Sequence, residues 1–394
     1  MRFSDRVPWA PGTNELTRRL QSRRAAGLPV LDLTLTNPTR AGFGGDGGAV
    51  LRALSREEGL GYEPDPRGYP PAREAVAGYY QEQGVRTSAE KVVLTASTSE
   101  AYSLLFKLLC NPGDAVLVPR PSYPLFEHLA ALESVEALPY PARYTPSLGW
   151  RLDVDGLRSA FTARTRAVVI VHPQNPTGAY LRPAELDLVA GLCAQHGIAL
   201  IADEVFFDFP SITRPVTRRR AGTILDALTF SLSGLSKVVA LPQLKLGWIV
   251  IGGPEPSARE ALDRLEFIAD AYLSVSAGVQ VGARDLLDLR GPIQARIQTR
   301  LERNERVVEE ICRPPGALRH RPREGGWYSV LELPPETSDE AFAVGLLDSE
   351  GVLVHPGFFY DCEEDHLLVA SLITPEETFR AGMERLATRA ALPA

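Results

Sequence analysis

Lysine is rare in this chain, and one lysine stands in a setting that suits covalent chemistry. Four of the 42 basic residues are lysines (Lys91, Lys107, Lys237 and Lys245), so 38 are arginines. A desolvated lysine can lose its proton and attack an aldehyde, which an arginine cannot do. Lys237 follows a strand-like run of apolar and hydroxyl residues at 229–234, and Lys245 stands a short apolar spacer beyond it. Together, the hydroxyl residues, the Lys237 amine and the Lys245 cation can hold an aldehyde cofactor that carries a phosphate. Composition alone would instead favour Lys237 as an exposed loop residue.

Three more segments place polar residues where predicted strands end. The apolar run 91–95 leads into Ser-Thr-Ser at 97–99 and a helix start, where free N–H groups and the helix dipole form an anion site. A second apolar run leads to Asn175, whose amide can donate to a phenolate oxygen, and a third ends in Asp203. Because α/β sheets bind ligands at the carboxyl ends of their strands, we expect these side chains to lie close together.

The motifs and their order resemble those of fold type I pyridoxal-phosphate enzymes, in particular the class I and II aminotransferases. The resemblance is carried by Ser-x-x-Ser-Lys at 233–237, by Asn-Pro-Thr-Gly at 175–178 and by Asp203, and it covers nearly the whole chain. It implies that pyridoxal 5′-phosphate is bound to Lys237 as a Schiff base. It further implies that the protein moves an amino group between an amino acid or amine and a 2-oxo acid.

The resemblance also implies a role for each site residue. Asp203 is expected to pair with the pyridine nitrogen of the cofactor, Asn175 to donate to its 3′-oxygen, and Tyr123 to stack on its ring. Lys237, Asp203 and Asn175 are therefore the catalytic candidates. The resemblance assigns the cofactor phosphate to Thr98, Ser99, Ser236 and Lys245. Gly234 stands where many family members have a serine, so Ser233 is the alternative source of that contact. Tyr62 is expected to reach the phosphate from the other subunit of a homodimer.

Phe206 departs from the family pattern, which usually has a tyrosine whose hydroxyl binds the 3′-oxygen of the cofactor. Phe206 is still expected beside the cofactor ring, but it cannot donate a hydrogen bond. Losing this donor is expected to raise the pH at which the cofactor-bound Lys237 loses its proton. Phe206→Tyr is then expected to lower that pH.

Val369 is a second departure, because it stands where the family commonly has an arginine that binds the α-carboxylate of the substrate. A valine cannot bind a carboxylate. Arg67 and Arg40 are the candidates to replace that arginine, and an exposed loop charge is the alternative for each. Because substrate orientation decides which α-bond breaks, Val369 leaves a lyase or decarboxylase reaction on the same scaffold as the alternative function.

The fold that the resemblance implies is α/β, with a large cofactor-binding domain at 45–280 around a mainly parallel seven-stranded sheet. A smaller α+β domain is expected from the two ends of the chain, 1–44 and 281–394. In such enzymes the two active sites lie at the interface of a homodimer.

Composition excludes other classes of protein. A net charge of −7 argues against a general nucleic-acid binder, and no apolar stretch is long enough to span a membrane. The four cysteines have no paired metal spacing, so no metal site is predicted. With no signal-peptide pattern, reduced thiols in a cytoplasmic protein are expected.

Two rival functions use the same motifs without catalysis. A cofactor-sensing regulator would need a DNA-binding module, and almost the whole chain is occupied by the enzyme motifs. A binding protein without activity would not require Lys237, Asp203 and Asn175 together. An amino donor and an oxo acceptor are therefore the expected small-molecule partners.

Overall fold

The structure is a computed structural model that describes residues 3–7, 12–313 and 316–392. Fourteen β-strands lie within these ranges: β1 (Leu31–Asp32), β2 (Val92–Thr95), β3 (Ala115–Arg120), β4 (Glu136–Thr145), β5 (Gly149–Leu152), β6 (Thr165–Val171), β7 (Ala199–Asp203), β8 (Thr229–Gly234), β9 (Gly247–Gly252), β10 (Arg319–Arg321), β11 (Tyr328–Glu332), β12 (Val352–Leu353), β13 (His355–Pro356) and β14 (Leu367–Ser371).

Fourteen α-helices lie within the same ranges: α1 (Glu15–Ala25), α2 (Gly47–Leu54), α3 (Pro70–Gln81), α4 (Thr98–Leu109), α5 (Phe126–Leu132), α6 (Val154–Ala160), α7 (Pro183–His196), α8 (Leu235–Val238), α9 (Glu255–Asp270), α10 (Ala277–Val281), α11 (Ala283–Asp288), α12 (Arg290–Ile311), α13 (Asp339–Glu350) and α14 (Glu376–Ala390). Within the described part of the chain, none of them combines the length and the apolar character that crossing a bilayer requires.

The large sheet has the strand order β2-β9-β8-β7-β6-β3-β4-β5. Strands β8, β7, β6, β3 and β4 run parallel to one another, whereas β9 is antiparallel to both of its neighbours, β2 and β8. These seven strands form the mainly parallel sheet that the resemblance implied. The structure adds β5 as an eighth strand, which folds back antiparallel on β4 after a turn at 146–148.

The central strands read as continuous apolar runs because helices cover both faces of the sheet. Ile201 of β7 packs on one face with apolar residues of α4, α5 and α9. Its neighbours Leu200 and Ala202 pack on the other face with α6 and α7. All five residues of β7 are buried, so the polar Asp203 at its end lies at the edge of a core rather than in a solvated loop.

The two ends of the chain meet in a second region. Strand β1 pairs in parallel with β12, through Leu31 and Val352, and β10, β11, β14 and β13 form an antiparallel four-stranded sheet. The Ser371 N–H donates to the carbonyl of Leu33, which joins this sheet to the N-terminal segment. These contacts support grouping both termini in one small domain, and the domain boundaries at residues 45 and 280 stay predictions.

Candidate active site

Lys237 lies in the short helix α8, which begins directly after the central strand β8. The side chain is half-buried, and its Nζ lies 5.7 Å from the ring centroid of Phe206 and 5.4 Å from that of Trp327. Burial lowers the pKa of the Lys237 amine, and the nearby Asp203 carboxylate opposes that shift. The amine is therefore easier to deprotonate than an exposed lysine, as a nucleophile for an aldehyde requires.

Asp203 is the last residue of β7, adjacent to Leu232 of β8. Its Oδ2 accepts a hydrogen bond from the Tyr102 hydroxyl at 3.1 Å, and its Oδ1 accepts one from the Val205 N–H at 3.2 Å. Burial raises the pKa of Asp203 to about 6. Within the described ranges no cation forms an ion pair with Asp203, so its buried charge is only partly compensated.

Asn175 follows β6 in a buried turn, and the Asn175–Pro176 peptide bond is cis. The side chain is 5% exposed, and its Oδ1 has no hydrogen-bond partner among the residues that the structure describes. Buried polar atoms usually find a partner, so this unpaired acceptor marks a place where a ligand can supply a donor. The expected bond to the ring oxygen of the cofactor would be donated by the amide nitrogen instead. Asn175 lies in the turn that follows β6, and Asp203 ends the adjacent strand β7, so both stand at the same edge of the sheet.

The anion site predicted at 97–99 is the amino end of α4. The Ser97 hydroxyl accepts from the Glu100 N–H at 3.1 Å and caps the helix, whereas Thr98 and Ser99 lie in the first turn and are half-buried. The first N–H groups of a helix have no partner within it, and they favour an anion. Of the three predicted hydroxyl residues, Ser97 is thus occupied by the helix cap.

Two glycines allow close backbone packing around the segment that follows Lys245: Gly247 faces this helix end, and Gly234 on β8 faces Leu246. A Cβ on Gly247 would lie 3.2 Å from the Thr98 nitrogen, and a Cβ on Gly234 would lie 2.9 Å from the Leu246 oxygen. The serine that many family members have at 234 would therefore collide with backbone here. This close approach is the physical reason for the departure at Gly234.

The remaining phosphate candidates differ in exposure. Lys245 is exposed and has a left-handed backbone (φ 52°), and Ser236 is half-buried next to Lys237. Ser233 is fully buried on β8, and its Oγ has no hydrogen-bond partner among the described residues. Exposure therefore favours Ser236 over Ser233 as a phosphate contact.

Tyr123 and Tyr62 occupy different surroundings. Tyr123 follows β3, and the Asp203 charge adds to the effect of burial in raising the pKa of Tyr123, which shows that the two side chains are near each other. Tyr62 is 80% exposed and lines a cavity of about 680 Å³ whose lining does not include Lys237. Within one chain, the structure thus brings Tyr123 to the site and leaves Tyr62 away from it.

Strand β14 offers no basic side chain at any of its five positions. Val369 is 1% exposed and lies opposite Val330 on β11. Arg67 forms ion pairs with Glu90 at 3.0 Å and with Glu266 at 3.3 Å, and Arg40 is exposed. The Arg67 guanidinium is therefore already paired with two carboxylates, and Arg40 stays a prediction as the replacement.

One residue of this site, Tyr102, was missed by the sequence analysis. Tyr102 donates to Asp203, and Trp327 packs 5.2 Å from Phe206 beside Lys237. The signal for Tyr102 was its spacing of four from Thr98, which places both on one face of α4. Trp327 stands directly before β11, and for this residue the sequence left a pocket-lining role and core packing open.

Comparison with known proteins assigns the family. The family model described as aminotransferase class I and II matches residues 49–385. The chain belongs to this family. It is 30% identical over 312 residues to the glutamate-pyruvate aminotransferase AlaA of Escherichia coli (strain K12), covering 78% of this chain and 72% of that protein. It is 28% identical over 400 residues to the arginine–pyruvate transaminase AruH of Pseudomonas aeruginosa, covering 99% and 98%.

Solved structures support the same fold. The alanine aminotransferase from Pyrococcus furiosus matches with a TM-score of 0.87 and 24% identity over 99% of both chains. The Thermus thermophilus aspartate aminotransferase with maleate matches with a TM-score of 0.83 and 22% identity, covering 99% of this chain and all of that one. This aminotransferase is therefore a fold type I enzyme that depends on pyridoxal 5′-phosphate, and none of these relatives is named as a lyase or decarboxylase.

The residues at the site fit this cofactor. A desolvated amine can bind an aldehyde, a helix start lined by hydroxyls can bind a phosphate, and a buried carboxylate that lacks a cation can bind a protonated ring nitrogen. Lys237, the first turn of α4 and Asp203 provide these three features.

Proposed function

We propose that this aminotransferase binds its cofactor through Lys237 and uses the same amine to move protons during transfer of the amino group. The observation that carries the proposal is that the buried Lys237 amine, in the helix directly after β8, lies near the buried Asp203 at the end of the adjacent strand β7, and that Asp203 forms no ion pair among the described residues. When bound, the cofactor supplies a ring that accepts electrons from the α-carbon of the substrate.

The chain's own residues then have separate tasks. The Lys237 Nζ carries a proton to and from the substrate α-carbon. The Asp203 carboxylate holds the ring nitrogen in its protonated form, and Tyr102 keeps that carboxylate oriented through its 3.1 Å hydrogen bond. Asn175 binds the ring oxygen, and Tyr123 covers one face of the ring. Phe206 and Trp327 form an apolar wall that excludes water from the Lys237 amine.

The phosphate is proposed to bind Thr98, Ser99, Ser236 and Lys245, with Tyr62 supplied by a second copy of the chain in a homodimer. The exposure of Tyr62 supports this assignment, because a tyrosine that is 80% exposed beside a cavity of about 680 Å³ is suited to contact a neighbouring subunit. The four cysteines are free thiols, which supports a cytoplasmic enzyme.

For the substrates, we propose an amino acid or amine as donor and a small 2-oxo acid as acceptor. The names of AlaA and AruH both include pyruvate, so pyruvate is the first acceptor to test. A panel of amino acids and amines is added to the purified yellow protein. We expect loss of the visible band, an oxo product and no release of ammonia or carbon dioxide; release of either would support the lyase alternative.

Borohydride reduction tests the attachment site. Reduction is expected to fix the cofactor on Lys237, which blocks tryptic cleavage there and yields a labelled peptide spanning 221–245. Lys91→Arg is the matched control and is expected to leave the labelled peptide unchanged. A label on Lys91, Lys107 or Lys245, or no label in cofactor-saturated protein, would contradict the proposal.

A further inference from the structure

Phe206 leaves one position at the site without the hydroxyl that the family pattern supplies. Its ring is 3% exposed and lies near the Lys237 amine, at 5.7 Å. Phe206 therefore cannot donate a hydrogen bond to the ring oxygen of the cofactor. Another residue can replace it only if its own hydroxyl lies beside Phe206 and Asn175.

Tyr328 meets this condition. It begins strand β11, is 9% exposed, and packs edge-on against Phe206 with ring centroids 5.9 Å apart. Its hydroxyl is hydrogen-bonded by the side chain of Asn175, the residue proposed to bind the same ring oxygen. Tyr328 thus joins the two residues that flank this oxygen.

The direction of that hydrogen bond leaves the Tyr328 proton available. The Asn175 Oδ1 has no hydrogen-bond partner among the described residues, so the contact with Tyr328 is made by the amide nitrogen, which donates to the hydroxyl oxygen. Within residues 3–7, 12–313 and 316–392, the Tyr328 hydroxyl donates to no side chain or carbonyl. A buried hydroxyl proton without an acceptor is costly, which favours a ligand that provides one.

The neighbouring phenols are less suitable donors. The Tyr360 ring lies 6.0 Å from that of Tyr328, but the Tyr360 hydroxyl is paired with His355 Nδ1 at 3.2 Å. Tyr123 is half-exposed and is proposed to cover the ring face. Asp203 and Lys237, the other titratable groups near this point, already have roles at the ring nitrogen and the aldehyde.

We propose that the Tyr328 hydroxyl donates a hydrogen bond to the ring oxygen of the cofactor, in place of the hydroxyl that Phe206 lacks. The proposal rests on the proposed function, because it requires the cofactor on Lys237 with Asn175 at the same oxygen. Tyr328 is a further cofactor-binding residue on this account, contributed by the C-terminal sheet rather than by the large sheet.

The test is a pH titration of the visible absorption band of the holoenzyme, without substrate. A donor to the ring oxygen favours the form in which Lys237 has lost its proton. Tyr328→Phe is therefore expected to raise the midpoint by about one pH unit, since a hydrogen bond to a charged group contributes about that much. Tyr360→Phe is the matched control and is expected to leave the midpoint unchanged.

A second variant supplies the rescue. Phe206→Tyr is expected to lower the midpoint only slightly in the wild-type background, because Tyr328 already donates. In the Tyr328→Phe background, it is expected to restore the midpoint to near the wild-type value. If Tyr328→Phe fails to fold, Tyr328→Met takes its place. The size of the midpoint shift that Phe206→Tyr causes in the wild-type background also shows whether Tyr328 donates.

Three results separate the outcomes. An unchanged midpoint in Tyr328→Phe with only a raised KM would mean that Tyr328 contacts the substrate, and would overturn the proposal. If Phe206→Tyr alone lowers the titration midpoint by a full pH unit, no other residue donates to the ring oxygen in the wild type. This result would also overturn the proposal. Absence of the visible band in wild type, or its persistence in Lys237→Ala, would refute the proposed function and this inference together.

Discussion

Asp203 and Glu204 are adjacent acids at the end of β7, and the fold places them in opposite surroundings. Glu204 forms a 2.9 Å ion pair with Arg220 and accepts a 2.8 Å hydrogen bond from the Ala221 N–H. Arg220 also binds Asp208 at 2.9 Å and the Tyr79 hydroxyl at 2.7 Å. Asp203, by contrast, has two hydrogen-bond donors and no paired cation among the described residues.

The difference shows which buried charges serve stability and which serve ligand binding. Burial opposes the charge of Arg220, but its oxygen neighbours Tyr79, Glu204 and Asp208 outweigh that effect and raise the pKa of Arg220. Every charge of this network has a partner inside the protein. At the candidate active site, Asp203 and Asn175 are buried and incompletely paired, so binding energy remains available for a ligand.

The largest expected effect concerns Lys237. Lys237→Ala removes both the attachment point and the proton carrier, so kcat is expected to fall by at least about 10³-fold. The absorbance of the bound cofactor is measured in parallel. Activity that survives in Lys237→Ala within tenfold of wild type would remove this residue from the mechanism.

Breaking the Arg220 network tests the structural half of the comparison. Arg220→Met leaves Glu204 and Asp208 buried without a cation, and the free energy of unfolding is expected to fall by about 3–5 kcal/mol. Denaturant unfolding measures it. Arg143→Met, which removes an exposed ion pair with Asp153, is the control and is expected to leave stability nearly unchanged. Equal effects of both changes would contradict the comparison.

Neutralising each acid in turn sharpens the contrast. The pKa of Asp203 is about 6 in the folded state, above its value of about 4 in the unfolded chain. The folded protein therefore loses stability as the pH rises from about 4 to about 6, and this stability stays lost at higher pH. Asp203→Asn is therefore expected to stabilise the cofactor-free protein by about 2–3 kcal/mol at pH 8, while activity falls.

Glu204→Gln is expected to change the stability of the cofactor-free protein in the opposite direction. Burial raises the pKa of Glu204 as well, against the opposing effect of Arg220. Neutralising Glu204 nevertheless leaves the buried Arg220 without one of its carboxylates, so the cofactor-free protein is expected to be less stable at pH 8, with no loss of cofactor binding. Urea unfolding at pH 4 and pH 8 measures both variants. If Asp203→Asn and Glu204→Gln shift stability in the same direction, the two acids are not in different surroundings.

The smallest expected effect is that of Tyr102→Phe. Removing the 3.1 Å donor raises the pKa of Asp203 further, because the charged carboxylate loses a hydrogen bond. The acidic limb of the pH–rate profile is expected to move upward by about half to one pH unit. Tyr140→Phe, whose hydroxyl bonds the Val169 carbonyl elsewhere in the core, is the control.

The sequence by itself determined the elements and the order of the motifs. Continuous apolar runs fix β6 and β7 as buried strands, and polar residues directly after them must lie at one edge of a parallel sheet. This places Asn175, Asp203 and Lys237 together without knowledge of any side-chain contact. The family resemblance then attached a cofactor to that edge.

Only the tertiary structure decided how neighbouring residues differ in role. Whether Asp203 or Glu204 receives a cation depends on where Arg220 packs, and Gly234 is required by the approach of Leu246, which lies directly before β9. Tyr328 comes to Phe206 from a separate sheet. Periodicity along the chain sets local elements, whereas contacts between distant segments depend on the packing of the whole core, and no local pattern encodes them.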